Sequence, residues 1–126
     1  MAESGASCRE LRILITGASG FIGSHVAANF AIRGAEVRAF CRSAPPEGAP
    51  VADWVAGDVR DADALRRAVC GCQAVVHVAA VYSYAREDAR LMEEVNVGGT
   101  RNVLDAAAHT GVRGGLSRLR PRGVTA

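Results

Sequence analysis

The chain has 126 residues, of which 49% are hydrophobic and 22% are charged, and its formal net charge is +2. These values are typical of one small globular domain, and the charge is too small to indicate a nucleic-acid or an anionic-membrane partner. All 15 basic residues are arginine, so the chain contains no lysine.

Neither end of the chain nor its cysteines indicate export or a metal site. Residues 1–10 lack the apolar stretch of a signal peptide and are expected to form a tail, and no run of about 18 apolar residues predicts a membrane span. The four cysteines do not have the spacing of a zinc site. The sequence therefore predicts no metal, reduced thiols, no membrane contact and a cytoplasmic location.

Strands and helices alternate along the chain. Apolar runs predict strands at residues 11–16, 36–41, 51–56 and 74–80. Periodic apolar positions predict helices at residues 20–33, from residue 61 onward and at 88–109, with Gly34, Gly71 and Gly111 placed to end them. Such alternation predicts an α/β fold of the Rossmann type, in which a doubly wound parallel sheet has right-handed crossovers.

The alternation stops near the end of the chain. Residues 114–126 contain no apolar run where a fifth parallel strand is due. The sequence therefore predicts an incomplete Rossmann domain over residues 11–113, truncated after about four strands, and an irregular tail over 114–126. An uncovered sheet edge favours self-association or a partner chain. An abrupt change of composition after residue 113 also suggests a truncation or a frameshift, which the coding DNA would test.

A glycine-rich turn, TGASGFIG at residues 16–23, is the strongest functional signal. It follows a predicted strand and opens a predicted helix, which is the context of a dinucleotide-binding turn. Gly17 permits the sharp turn, Gly20 lets a pyrophosphate approach the helix N-terminus, and Gly23 permits close helix packing. Ser19 can add a hydroxyl donor. The alternative is a glycine-rich turn that binds no ligand.

Four blocks together resemble the NAD-dependent epimerase/dehydratase family of extended short-chain dehydrogenases. They are TGASGFIG, GDVRD at 57–61, VVHVAA at 75–80 and VNVGGTRNVLDAA at 95–107, in family order over about residues 11–113. The segments FCRS and VYSYARED are similar to the dihydroflavonol-reductase-like and hopanoid-associated sugar epimerase branches. The resemblance implies hydride transfer at a ketone or at a sugar carbon, but it does not define the substrate.

The resemblance also implies which residues contact the cofactor. Phe21 and Ile22 belong to the glycine turn that holds the pyrophosphate. Asp58 would accept from the exocyclic amine of adenine, or it could instead be a turn residue that caps the next helix. Val59 would pack on the ring. The cofactor path would be lined by Ala79 and Ala80, whose alternative role is plain strand packing.

The end of the second strand indicates which cofactor is bound. NAD-specific sites place an acidic residue about 20 residues beyond the glycine turn. Cys41, Arg42 and Ser43 stand there instead, and an arginine can pair with a 2′-phosphate. The sequence therefore favours NADP over NAD, with Arg42 as the main candidate and Arg38 as a weaker one. Arg42 could also be an ordinary surface residue.

The expected catalytic residues are mostly absent. The resemblance implies a Tyr-x-x-x-Lys pair, whose tyrosine acts as general acid or base. Tyr82 and Tyr84 are the only tyrosines, and neither can belong to such a pair in a chain without lysine. Asn96 matches the family's helical asparagine, which would support a proton relay or else be a satisfied interior residue. His77 is interpreted as a core residue.

Three functions remain open at this stage. The chain could be the cofactor-binding part of a reductase or epimerase that is inactive alone. It could be a dinucleotide-sensing or partner-binding Rossmann module without chemistry. It could also be completed by another chain that supplies the fifth strand and the catalytic pair.

Overall fold

A computed structural model describes residues 11–81, 85–110 and 116–118 of the chain. The first half of the described fold alternates strands with helices: β1 (Arg12–Thr16), α1 (Phe21–Ile32), β2 (Glu36–Cys41), β3 (Asp53–Ala56), α2 (Ala62–Ala68) and β4 (Ala74–His77). A 3₁₀ turn (Arg86–Asp88), α3 (Ala89–Glu93), a π-helical turn (Glu94–Gly98), α4 (Gly99–Thr110) and β5 (Leu116–Arg118) follow.

The strands form one parallel sheet in the order β3-β2-β1-β4-β5. The predicted doubly wound Rossmann arrangement is therefore confirmed. From β1 the chain proceeds to β2 and β3 on one side and then crosses to β4 on the other. Ligands of such sheets bind at this topological switch point, beyond the carboxyl ends of the strands.

Each face of the sheet buries its own apolar cluster, because successive side chains of a strand point to opposite faces. Leu14 packs with residues of α2 and α4 such as Leu65 and Val103. Ile13 and Ile15 pack on the other face with Ala27 of α1. Because β1 is buried on both faces, the glycine turn that follows it lies between α1 on one side of the sheet and α2 and α4 on the other.

Two strand boundaries differ from the sequence prediction. β4 ends at His77 rather than at residue 80. The Val78 N–H is shared between the Thr16 carbonyl at 3.3 Å and Thr16 Oγ1 at 2.9 Å, and the Ala79 N–H donates to Oγ1 at 3.2 Å. β5 lies in the segment predicted to be irregular and extends the four predicted strands by pairing with β4. The expected irregular tail is thus corrected at these three residues, since main-chain pairing at a sheet edge requires no apolar run.

The predicted helix over residues 88–109 is divided by the π-helical turn. Within that turn the Asn96 carbonyl accepts from Thr100 Oγ1 at 2.6 Å. A hydroxyl that competes for a helix carbonyl disturbs the regular main-chain ladder, and such turns occur frequently at functional sites. Gly111, which was predicted to end this helix, lies outside the described residues.

The described ranges contain neither a membrane-spanning helix nor a cluster of metal-ligating side chains. None of their helices has both the length and the apolarity to cross a membrane. The same part of the chain holds no group of three or more His, Cys, Asp or Glu that could bind a metal ion.

Candidate functional site

The turn between β1 and α1 depends on two glycines for its shape. Gly17 has φ +70°, and a Cβ there would lie 2.8 Å from both Cα and N of Ala79. Its N–H donates to the Phe40 carbonyl at 3.0 Å, which ties the turn to the end of β2. At Gly23 a Cβ would overlap the Gly17 carbonyl oxygen and lie 2.9 Å from the Ala18 Cα. Both positions therefore exclude a side chain on internal steric grounds.

Gly20 differs from these two glycines. A Cβ there would meet only the Gly17 carbonyl oxygen at 3.5 Å, which is an ordinary contact. Gly20 is the N-cap of α1, and no side chain caps that helix. The N–H groups of the first helical turn need partners that the helix cannot supply. The turn therefore presents main-chain donors beside a position where the protein has room for a methyl group.

The turn opens into a cavity of about 810 Å³ at the carboxyl ends of β1, β2 and β4. All the residues that the sequence predicted for the cofactor, except the weaker candidate Arg38, line it: Gly17, Ser19, Gly20, Phe21, Ile22, Gly23, Arg42, Asp58, Val59, Ala79 and Ala80. The structure thus gathers into one cavity residues from four separate blocks of sequence.

Sequence reasoning missed seven other lining residues: Phe40, Cys41, Gly57, Val78, Val81, Leu91 and Val95. Four of them adjoin a predicted site residue in the chain, so strand-end position could have identified them. Leu91 and Val95 reach the cavity from α3 and the π-helical turn, and apolar helical positions carry no signal that separates cavity lining from core.

Asp58 is held by Arg60. The Arg60 main-chain N–H and Nε donate to Asp58 Oδ1 at 2.9 and 3.1 Å, and Nη2 donates to Oδ2 at 2.7 Å. The Arg60 hydrogen bond, with a smaller contribution from nearby Arg42, lowers the pKa of the Asp58 carboxyl against the opposing effect of burial. The alternative that Asp58 caps the next helix is wrong, because Asp61 accepts from two N–H groups of α2.

The two arginines considered for a 2′-phosphate occupy different places. Arg42 lies exposed at the end of β2 and lines the cavity. Arg38 instead donates to the Ala68 and Cys70 carbonyls at 2.6 and 2.8 Å, at the end of α2, and pairs with Asp53. Arg38, the weaker candidate, is therefore bonded away from the cavity, and Arg42, which directly follows β2, is the one of the two arginines that lines it.

Asn96 bonds to the main chain that follows β4. Its Oδ1 accepts from Val81 N at 2.9 Å, and its Nδ2 donates to Val81 O at 2.7 Å. This arrangement corresponds to the satisfied interior asparagine of the two sequence interpretations, and the catalytic role of Asn96 stays a prediction. Tyr82 and Tyr84 lie outside the described residues.

His77 is fully buried and lies between two threonines. Thr16 Oγ1 is 2.7 Å from Nδ1, and Thr100 Oγ1 is 3.1 Å from Nε2. Thr16 Oγ1 already accepts from two main-chain N–H groups, so its own proton must go to Nδ1. His77 is therefore the neutral Nε2–H tautomer, which donates to Thr100.

Known proteins are similar to this chain over most of its length. Residues 13–119 match the model of the NAD dependent epimerase/dehydratase family, so the likeness extends beyond residue 113, where it was expected to stop. A proposed dihydroflavonol 4-reductase from Synechocystis sp. is 39% identical over 102 residues, which cover 78% of this chain and 29% of that protein. The human 3 beta-hydroxysteroid dehydrogenase type 7 is 36% identical over 123 residues, which cover 90% of this chain and 33% of the enzyme.

Solved structures give the same result. A short-chain dehydrogenase/reductase superfamily protein from Agrobacterium tumefaciens with bound NAD has 40% identity and a TM-score of 0.73, covering 81% of this chain and 30% of that one. The UDP-glucose 4-epimerase of Thermus thermophilus, in complex with NAD, has 35% identity and a TM-score of 0.71, covering 81% and 35%. The chain thus spans about a third of the length of these relatives.

Proposed function

Because the chain belongs to the NAD-dependent epimerase/dehydratase family, we propose that its cavity binds a nicotinamide dinucleotide and prefers NADP(H) to NAD(H). The main support is the glycine turn, where uncapped helix donors adjoin the open position of Gly20. A pyrophosphate is the anion that such a turn is suited to bind. Asp58 and Val59 would hold the adenine, and Ala79 and Ala80 would line the path toward the nicotinamide.

The residues present fit the proposed ligand. Drug-sized and cofactor-sized ligands occupy cavities of about 300–1,000 Å³, and this cavity has about 810 Å³. Small residues occupy the sides where a ribose and a pyrophosphate must approach closely, and apolar residues such as Ile22 and Val59 flank them. When bound, a nicotinamide cofactor would supply hydride chemistry, and the residues described here would bind and orient it.

Gly20→Ala provides the test of dinucleotide binding. We expect Kd for NADPH to rise at least about tenfold, since the added methyl group would occupy the approach to the helix donors, while the melting temperature stays within about 2 °C. Nicotinamide fluorescence gives the affinity, and a thermal melt gives the stability.

Gly98→Ala is the matched control for this variant. Gly98 lies in the π-helical turn, where a Cβ would meet nothing within 4 Å, and it does not line the cavity. Equal Kd values for the Gly20→Ala and Gly98→Ala variants would contradict a pyrophosphate at the turn.

The preference for NADP(H) is proposed from Arg42. It lies beside Asp58 at the cavity, where it forms no ion pair with another described residue, so its guanidinium can pair with a 2′-phosphate. The relatives described above with a bound cofactor contain NAD. We therefore expect this chain to prefer a different cofactor from those structures, because of Arg42 at the end of β2.

Arg42→Ala should reduce the preference for NADPH over NADH by about tenfold or more, because a charge-assisted hydrogen bond contributes about 1.5–3 kcal/mol. Affinity for NADH should stay within about threefold of the original value. Arg66→Ala removes the same charge from an exposed position on α2 and serves as the control. A preference for NADH in the unmodified chain would refute the NADP assignment while leaving dinucleotide binding intact.

We propose further that this chain alone binds the cofactor without turning it over. Hydride transfer to a carbonyl needs a proton donor at the carbonyl oxygen, and the 126 residues hold no Tyr-x-x-x-Lys pair. A dinucleotide sensor without chemistry would behave in the same way in this assay. Measurable oxidation or reduction of a ketone or a nucleotide sugar by the purified chain would overturn this part of the proposal.

The edge strand β5 supports a second candidate, in which another chain continues the sheet and supplies the catalytic pair. β5 has three residues and pairs with β4 alone among the described strands. An edge strand presents unpaired main-chain groups that another strand can bind. Self-association of the chain, measured by light scattering at increasing concentration, would support a sheet edge that accepts a further strand.

A further inference from the structure

A short ladder of ion pairs stands at the rim of the dinucleotide cavity. Arg60 pairs with Asp58, and its Nη1 lies 3.5 Å from Glu94 Oε1 in the π-helical turn. Arg90 reaches the same Glu94 carboxylate at 3.6 Å. Among the three residues Asp58, Arg60 and Glu94, only Asp58 lines the cavity. Arg60 therefore does not line the cavity, and it can affect the site only through the Asp58 carboxylate to which it is bonded.

The two oxygens of Asp58 are not equivalent. Oδ1 accepts two hydrogen bonds from Arg60, through the main-chain N–H and Nε. Oδ2 accepts one, from Nη2. Each carboxylate oxygen has about two lone-pair sites, so Oδ1 is saturated and Oδ2 retains one site. A fork-to-fork contact of this kind also fixes the plane of the carboxylate.

Resting on the proposed dinucleotide site, we propose that Arg60 is a positioning residue that sets the purine preference of the cavity. By saturating Oδ1 it leaves Oδ2 as the acceptor for an exocyclic 6-amino group, so the site selects adenine over a 6-oxo purine. Arg60 itself does not touch the cofactor. The guanidinium selects the base only through the orientation that it imposes on Asp58.

The charge state of Asp58 supports the same conclusion. The groups that face its carboxylate are Arg60 and Arg42, and Glu94 lies beyond Arg60. The hydrogen bond from Arg60 is the largest cause that lowers the Asp58 pKa. An ionised carboxylate can only accept hydrogen bonds, whereas a protonated one could donate to a 6-oxo group. The ionised carboxylate of Asp58 can therefore accept from a 6-amino group but cannot donate to the 6-oxo group of hypoxanthine.

The surrounding contacts hold the segment after β3 in place. Asn102 Nδ2 donates to the Val59 carbonyl at 3.0 Å, and the Val59 side chain lies against Gly99, where a Cβ would approach within 2.6 Å. Arg60 adds its contact to Glu94 on the same helical segment. Loss of the Arg60 side chain should thus remove two of the three hydrogen bonds to the carboxylate, and leave the one from the main-chain N–H, without displacing the main chain of the segment.

The test compares NADPH with its hypoxanthine analogue on the full chain. Kd for both is measured by nicotinamide fluorescence for the unmodified chain and for the Arg60→Gln, Arg60→Lys and Arg90→Gln variants. We expect the unmodified chain to prefer adenine by about tenfold or more, as for a hydrogen bond to a charged acceptor. Arg60→Gln should reduce that preference to within about threefold, and Arg60→Lys should restore it only in part, since lysine lacks the fork.

Arg90→Gln is the matched control, because it removes a positive charge from the same ladder without contacting Asp58. It should keep the full adenine preference. A ratio of two affinities measured on one preparation does not depend on the folded fraction, so reduced stability of a variant leaves the result interpretable. An unchanged ratio in Arg60→Gln would overturn the inference about Arg60 alone. Failure of the unmodified chain to bind either dinucleotide would overturn the proposed function and this inference with it.

Discussion

Replacement of Gly23 by alanine should cost at least about 3 kcal/mol of folding free energy, the upper range of overpacking, because backbone atoms cannot yield as side chains do. The added Cβ would overlap the Gly17 carbonyl oxygen and lie 2.7 Å from the carbonyl carbon. α1 would have to lift away from the turn, and the apolar contacts of Ala27 beneath it would open. Urea unfolding followed by circular dichroism measures the loss.

Gly98→Ala again supplies the comparison for this substitution. Both glycines are helical, but Gly98 has open space around its missing side chain. Alanine in a helix is favoured over glycine by about 1 kcal/mol, so Gly98→Ala should unfold at an equal or higher urea concentration. If Gly23→Ala unfolds at the same midpoint as Gly98→Ala, the close approach of α1 to the turn is not a determinant of stability.

Replacement of Thr16 by valine should have the second large effect, a loss of about 3 kcal/mol of folding free energy. Valine has the shape of threonine but removes the acceptor of the Ala79 N–H, the nearer of the two acceptors of the Val78 N–H, and the donor to His77 Nδ1, in an interior where Thr16 is fully buried. Each lost partner in such a place costs about 1–3 kcal/mol. The measurement is the free energy of unfolding in urea.

Thr16→Ser separates the hydroxyl from the packing. Serine keeps the hydroxyl and loses one methyl group, which should cost about 1 kcal/mol. The proposed dinucleotide binding should follow the same order, since Ala79 lines the cavity and its N–H donates to the Thr16 hydroxyl. Equal destabilisation by valine and serine would show that the methyl group, and not the hydrogen bonds, stabilises this region.

The structural predictions from the sequence were most accurate where one physical signal dominates. β2 was predicted at its observed bounds, because a short apolar run stands between Gly34 and a proline-rich loop. The glycine turn was equally clear, since Gly23 meets a steric requirement that is set by Gly17 and Ala18 within the same turn. These features are local, so a single stretch of chain contains the information that specifies them.

Features that depend on distant partners were predicted less well. Residues 78–80 are as apolar as a strand, but the hydroxyl of Thr16, 62 residues before Val78, accepts from the N–H groups of Val78 and Ala79 where β4 ends. Arg38 and Arg42 lie four residues apart on the same chain segment, but the carbonyls at the end of α2 bind the first and leave the second at the cavity. No periodicity or composition encodes either choice.

The candidate site shows the same division. Membership of the cavity could be predicted for eleven residues from motif and strand-end position. The hydrogen-bond partners of those residues could not be predicted from the sequence. Asp58 was expected to receive a ligand amine directly, and the sequence gives no sign that Arg60, two residues later, occupies three of its hydrogen-bonding positions. The side-chain contacts of the fold determine that arrangement.

The hydrogen bonds through His77 form a chain with a single direction. They proceed from the Ala79 N–H through Thr16, His77 and Thr100 to the Asn96 carbonyl, each group donating to the next. The loop after β4 and the π-helical turn are therefore joined across the interior by one continuous row of hydrogen bonds. Residues that line the cavity after β4 are thus held in place by Thr16, His77 and Thr100, none of which lines the cavity itself.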